Sequence, residues 1–179
     1  SSDLWWKSLH KAQDSDFEIR IGTGVSETDF TKLFKAIMSW PSDFKPLKKV
    51  EKIIQEKVRL FETEQKLDWA SAELMAYGSL LLEGNDVRIS GQDVRRGTFS
   101  HRHAVLRDEV TDESYSRLGR IPGATGMFRI YNSLLSEYGV LGFEYGYALA
   151  NPHALVIWEA QFGDFSNRSE EHTSELQSH

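Results

Sequence analysis

The chain has 179 residues, 40% of them hydrophobic and 12% aromatic, with a formal net charge of −6 at pH 7 and no cysteine. That is apolar material for one core and too little for two well-formed domains. It excludes a disulfide framework or a cysteine metal site and fits a reducing compartment. With no charged tail and no apolar run of about eighteen residues, neither nucleic acid nor a membrane is an expected partner.

In chain order, residues 1–21 carry Trp5, Trp6 and Leu9 among many polar residues without a sustained period, and are expected to be an irregular segment docked by its tryptophans on a missing partner. Ser26 with Asp29 resembles a capping box, and Phe30, Leu33, Phe34, Ile37 and Met38 keep helical spacing up to Pro41. Leu47, Val50, Ile53, Ile54, Lys57, Val58 and Phe61 predict a second amphipathic helix with a solvated charged face. Asp68 can cap a third, carrying Trp69, Ala72, Met75, Ala76, Ser79 and Leu80 and stopping at Gly84. Residues 87–90 read as a strand, 108–120 as a charged surface loop, and 136–148 as an almost wholly apolar, buried helix capped by Ser136. Residues 154–158 read as a second strand, apolar on both faces as buried parallel strands are. The fold class is α/β: a helical lead-in (1–66) followed by a parallel sheet with flanking helices (67–167).

Three blocks carry candidate chemistry. Glu137 stands in the first turn of the apolar helix, where a carboxylate must be protonated or held by a specific partner, although it also suits the positive end of the helix dipole. Gly139 and Gly142 leave room for a flat group near that backbone. Past the first strand, residues 91–103 place Gln92, Asp93, Arg96, His101 and His103 where open α/β sheets bind ligands. The spacing of His101 and His103 would put both on one strand face, but no third metal ligand stands nearby. Past the second strand, Phe162 and Phe165 can sandwich a ring or simply underlie a loop, and Asp164 between them reads as a loop capper.

Together, the wording of residues 87–105, 134–148 and 157–165 closely resembles the thiamine-diphosphate-dependent first component of the bacterial 2-oxoglutarate dehydrogenase complex, over about residues 24–167. The resemblance implies a transketolase-like pyrimidine-binding domain, truncated. It implies that the carboxyl of Glu137 hydrogen-bonds the far nitrogen of the cofactor's aminopyrimidine, and that Phe165, with Phe162, meets the ring. Glu144, two turns along, is the runner-up and reads as structural; Glu73 is a weaker alternative. Gln92, Asp93, Arg96, His101 and His103 fall in the family's active-site loop, where substrate contact and a structural role both stay open.

The same resemblance implies that the diphosphate and magnesium are held by another domain, since no Gly-Asp-Gly motif with a following Asn occurs, so this chain is expected to hold no metal. It further implies a homodimer, a dihydrolipoyl succinyltransferase partner bearing a lipoyl domain, and a cytoplasmic location. A chain that starts in mid-pattern reads as an internal fragment, inactive alone. Residues 168–179, Arg-Ser-Glu-Glu-His-Thr-Ser-Glu-Leu-Gln-Ser-His, look like a translated sequencing adapter foreign to the fold. Without the one Arg and three Glu of that string the chain holds 20 basic and 24 acidic residues, a net of −4. The alternative of another class is a non-catalytic module that docks or regulates such a complex.

Overall fold

The computed structural model describes residues 6–161 and residue 164. Helix α1 (Glu27–Ile37) starts at Ser26, whose hydroxyl accepts from the Asp29 backbone N–H at 3.2 Å, and turns Leu33, Phe34 and Ile37 inward. Helix α2 (Lys48–Glu64) stops where Gln65 adopts a left-handed conformation. Helix α3 (Trp69–Leu82) is capped by Asp68, which accepts from Ser71 N–H at 2.8 Å. Phe34 and Phe61 stack with centroids 4.1 Å apart, and Ile37, Ile54, Leu74 and Leu81 join Val87 and Ile89 in one hydrophobic core. The lead-in helices therefore bury their apolar stripes on the same core as the sheet.

Two side chains depart from the helical pattern. Trp69 is 93% exposed, because the first turn of α3 points it away from the core. Lys57 is buried, its Nζ donating to the His101 carbonyl at 2.9 Å and pairing with Asp68 at 2.9 Å. It is an exception to the solvated charged face.

The principal sheet is parallel, in the order β4 (Phe128–Asn132), β1 (Val87–Gly91), β5 (Leu155–Glu159), with Ile89 opposite both Ile130 and Ile157. Strand period divides its two sides: Val87 and Ile89 enter the core, while Arg88 and Ser90 point to the opposite face. Strand β4 was not among the expected elements. Its apolar residues Phe128 and Ile130 alternate with Arg129 and Tyr131, a half-buried pattern that a search for fully apolar runs passes over. As described, β5 pairs only with β1, so it is an edge and is half-buried, not covered on both faces as expected.

Residues 108–120 are not a surface loop. They contain β3 (Ser114–Ser116), which pairs antiparallel with β2 (Val105–Arg107), and both Arg117 and Leu118 are about 1% exposed. The charge of Arg117 is what disguised the segment. Its guanidinium donates to the Ile37 carbonyl at 2.8 Å and to Met38 Sδ at 2.8 Å, and burial pulls its pKa down to about 10.

Helix α4 (Glu137–Ala150) begins at Ser136, whose hydroxyl accepts from Gly139 N–H at 3.4 Å. It is not buried as expected. Only Val140 and Glu144 are fully buried, while Tyr138, Phe143 and Tyr145 stay exposed, because one face of the helix docks on the sheet and the described residues cover little of the other. The amino-terminal segment docks within the chain itself, Trp6 Nε1 donating to the Leu149 carbonyl at 2.7 Å; Trp5 lies outside the described residues. No described helix is long and apolar enough to cross a membrane.

Candidate functional site

The carboxyl ends of β1 and β5 and the amino end of α4 converge on one crevice. Gly91, Gln92, Ser133, Leu135, Glu137, Val140, Trp158 and Asp164 line it, and its volume of about 10 Å³ admits one water-sized group. Gly91 sets how closely the strands approach: a Cβ there would lie 2.5 Å from the Glu159 carbonyl oxygen and 2.8 Å from Val94. The Gly91 carbonyl in turn accepts from Ser133 N–H at 2.8 Å, which brings the start of α4 over the strand end.

Glu137 is half-buried, and among the described residues none holds its carboxylate by a hydrogen bond or ion pair. It is therefore a free acceptor at a helix N-terminus, where the dipole favours negative charge. Gln92 lines the same crevice, and its carbonyl accepts from Gln161 Nε2 at 3.4 Å. Gln161 also exchanges hydrogen bonds with Thr98 at 2.8 and 3.0 Å, stitching the loop after β1 to the end of β5. Asp164 caps that turn, accepting from Gln161 N–H at 2.7 Å. Phe162 and Phe165, the expected ring contacts, lie outside the described residues.

The remaining expected residues do not line the crevice. Asp93 and Arg96 pair with each other in the turn after β1. His101 and His103 share no strand face, since both precede β2 in a loop where His103 has φ 45°. The backbone there is kinked by hydrogen bonds from Arg102 and His103 N–H to the Arg96 carbonyl. His103 is buried with its Nε2 against the Ser100 carbonyl at 3.0 Å, and burial lowers its proton affinity. The His101 ring packs over Gly97, where a Cβ would come within 2.4 Å of it. Gly142 leaves open space on the exposed side of α4, whereas a Cβ at Gly139 would meet Ser136 Oγ at 3.5 Å and Leu135 Cβ at 3.6 Å.

Between the two histidines stands a residue that sequence reasoning passed over. Arg102 is 2% exposed and donates to both Glu73 oxygens, at 2.8 and 3.0 Å, to the Val94 carbonyl at 2.8 Å and to Glu159. Glu73 also accepts from Tyr77 Oη at 2.9 Å, so it is engaged in structure and does not reach the crevice. Glu144 is bound to Arg88 through two hydrogen bonds of 2.7 and 2.9 Å. The signal for Arg88 was present: a charge between Val87 and Ile89 in a strand must find a partner on the sheet face. Among the described residues no group of three or more His, Asp or Glu can hold a metal ion.

Comparison with known proteins shows which family the chain resembles. Residues 65–179 match the family model described as the transketolase pyrimidine binding domain. The chain is 50% identical over 150 residues to a mitochondrial 2-oxoglutarate dehydrogenase of Dictyostelium discoideum, a match covering 81% of this chain and 15% of that protein. It is 47% identical over 148 residues to the mitochondrial counterpart of Saccharomyces cerevisiae, covering 83% and 15%. The 2-oxoglutarate dehydrogenase E1 component of Bacillus mycoides is 46% identical over 150 residues, covering 84% and 16%. The chain thus spans about 15% of the length of the curated relatives it matches.

Proposed function

We propose that this chain, which belongs to the transketolase pyrimidine-binding domain family, supplies the pyrimidine half of a thiamine diphosphate site in a first component of 2-oxoglutarate dehydrogenase. The observation that carries the reading is Glu137: a half-buried carboxylate at a helix start, over the carboxyl ends of two parallel strands, with no partner among the described residues. The donor set fits half of the cofactor. The crevice is too small to enclose an aminopyrimidine, so its part would be to hold one edge of the ring through Glu137, and Phe162 and Phe165, which lie outside the described residues, would meet the ring.

Thiamine diphosphate, when bound, supplies a nucleophilic thiazolium carbon able to add to the carbonyl of a 2-oxo acid. This chain's part is to hold a proton at the Glu137 carboxyl and pass it to and from a ring nitrogen, the task of a positioned general acid–base. Gln92 and the Gly91 backbone fix the floor of the site. Arg102 orients nothing reactive itself, but clamps the loop after β1 to α3 and to the end of β5. Asp93, Arg96, His101 and His103 act by shaping that loop.

The substrate is 2-oxoglutarate, decarboxylated oxidatively with succinyl transfer to the lipoyl domain of a dihydrolipoyl succinyltransferase partner in the tricarboxylic acid cycle. A second domain holds the diphosphate and magnesium, and the working enzyme is a homodimer. The compartment is the bacterial cytoplasm, which the absence of cysteine fits. The reading is supported by relatives named 2-oxoglutarate dehydrogenase at 46–50% identity. Assay of the full-length protein with 2-oxoglutarate, thiamine diphosphate, magnesium and a lipoyl domain tests it. Cofactor-dependent succinylation of the lipoyl domain is expected; a folded protein that turns over no 2-oxo acid would overturn it.

A further inference from the structure

Helix α4 presents one face to the sheet, and on that face stand Glu137, Val140 and Glu144, spaced three and four residues apart. Val140 and Glu144 are the only residues of the helix that are buried. One valine gives adhesion without direction. Direction comes from Glu144, whose two oxygens accept from Arg88 Nε at 2.7 Å and Nη2 at 2.9 Å in a planar, two-pronged pair.

Arg88 is itself held. Its guanidinium carbon lies 4.7 Å from the centroid of Tyr131, 5.1 Å from Phe143 and 4.7 Å from Tyr147, so rings from β4 and α4 enclose it. Its neighbour across the sheet, Arg129, is taken up separately by Asp86 at 2.9 Å, which leaves Glu144 to Arg88 alone. Glu137 and Glu144 are seven residues apart, about 10.5 Å along the axis and within about 20° in rotation. A turn or slip of α4 at Glu144 is therefore delivered almost undiminished to Glu137.

We propose that Arg88 and Glu144 are positioning residues: their ion pair sets the rotation and height of α4 on β1 and thereby aims the Glu137 carboxylate at the crevice. An apolar pair would bury the same face but would leave the helix free to settle in more than one orientation. Fixing register is the best-attested use of a buried ion pair. The assignment rests on the reading of Glu137 given above.

The test uses the full-length protein and the variants Arg88→Met, Arg88→Lys and Glu144→Gln, alone and combined with Glu137→Gln. Amide hydrogen exchange across residues 137–150 reads the clamp directly, and maximal turnover at saturating thiamine diphosphate reads its consequence. Each variant is expected to speed exchange in α4 and to lower maximal turnover, by up to about 10²-fold, as for a reacting group misplaced by an ångström. Arg88→Lys, which keeps the charge and loses the fork, falls between wild type and Arg88→Met and serves if the latter does not fold. In the Glu137→Gln background the same changes cost no further turnover, because they act through Glu137. Unchanged exchange in α4, or losses that simply multiply with that of Glu137→Gln, overturns the proposal. If Glu137→Gln alone leaves turnover intact, the reading of Glu137 fails, while the exchange data still judge the clamp.

Discussion

Arg102 holds the loop that shapes the site, and Asp108 holds the turn between β2 and β3. Replacing Arg102 by Met strands Glu73 and Glu159 without their cation and leaves the Val94 carbonyl unpaired. Breaking a buried pair costs about 3–5 kcal/mol; because both carboxylates remain about a quarter exposed, about 2–3 kcal/mol is the expected loss in urea unfolding. Asp108 accepts from the backbone N–H groups of Lys45, Thr111 and Val110, which hold its pKa at about 2. A depressed carboxylate contributes stability above its unfolded pKa of about 4 and loses it as pH falls toward 2. An acid titration of thermal stability should therefore drop between those values, and Asp108→Asn should flatten that limb. The place of Glu137 in the first turn of its helix was legible in the sequence, because a carboxylate in an apolar run is conspicuous. Arg102 and Arg117 were not, because arginine reads as surface, and only the fold reveals the carbonyls and carboxylates that receive them.

At the scale of elements, helices α1, α2 and α3 were legible from caps and period, since Ser26, Asp68 and the apolar spacing each state a local rule. Strand β1 was legible for the same reason, whereas β4 was hidden by the arginine and tyrosine on its polar face. The burial of α4 was misjudged because apolar content reveals that a helix seeks cover, not how much cover the described residues provide. Where β1 meets β5 the fit is tight, and Gly91→Ala sets a methyl group against the Glu159 carbonyl. The strands must part at the mouth of the site. Overpacking of this kind costs about 1–3 kcal/mol, so a lowered midpoint in thermal unfolding together with weakened cofactor affinity in the full-length protein is expected; an unchanged affinity would separate this junction from the site.

For the whole molecule, the proposed reading is that a chain spanning about 15% of its relatives' length carries one half of a shared pocket. Calorimetry of the 179-residue chain with thiamine diphosphate and magnesium should show little or no heat, and micromolar binding would mean that the division between half sites is drawn wrongly. The central claim is that Glu137 serves the cofactor's ring. The measurement that tests it most directly is exchange of the thiazolium hydrogen for deuterium on the full-length protein and its Glu137→Gln variant, with cofactor binding and folding checked in both. General acid–base contributions run to about 10²–10⁴-fold, and a loss of that size in the variant is the predicted result; exchange at the wild-type rate, with cofactor bound and the fold intact, would contradict it.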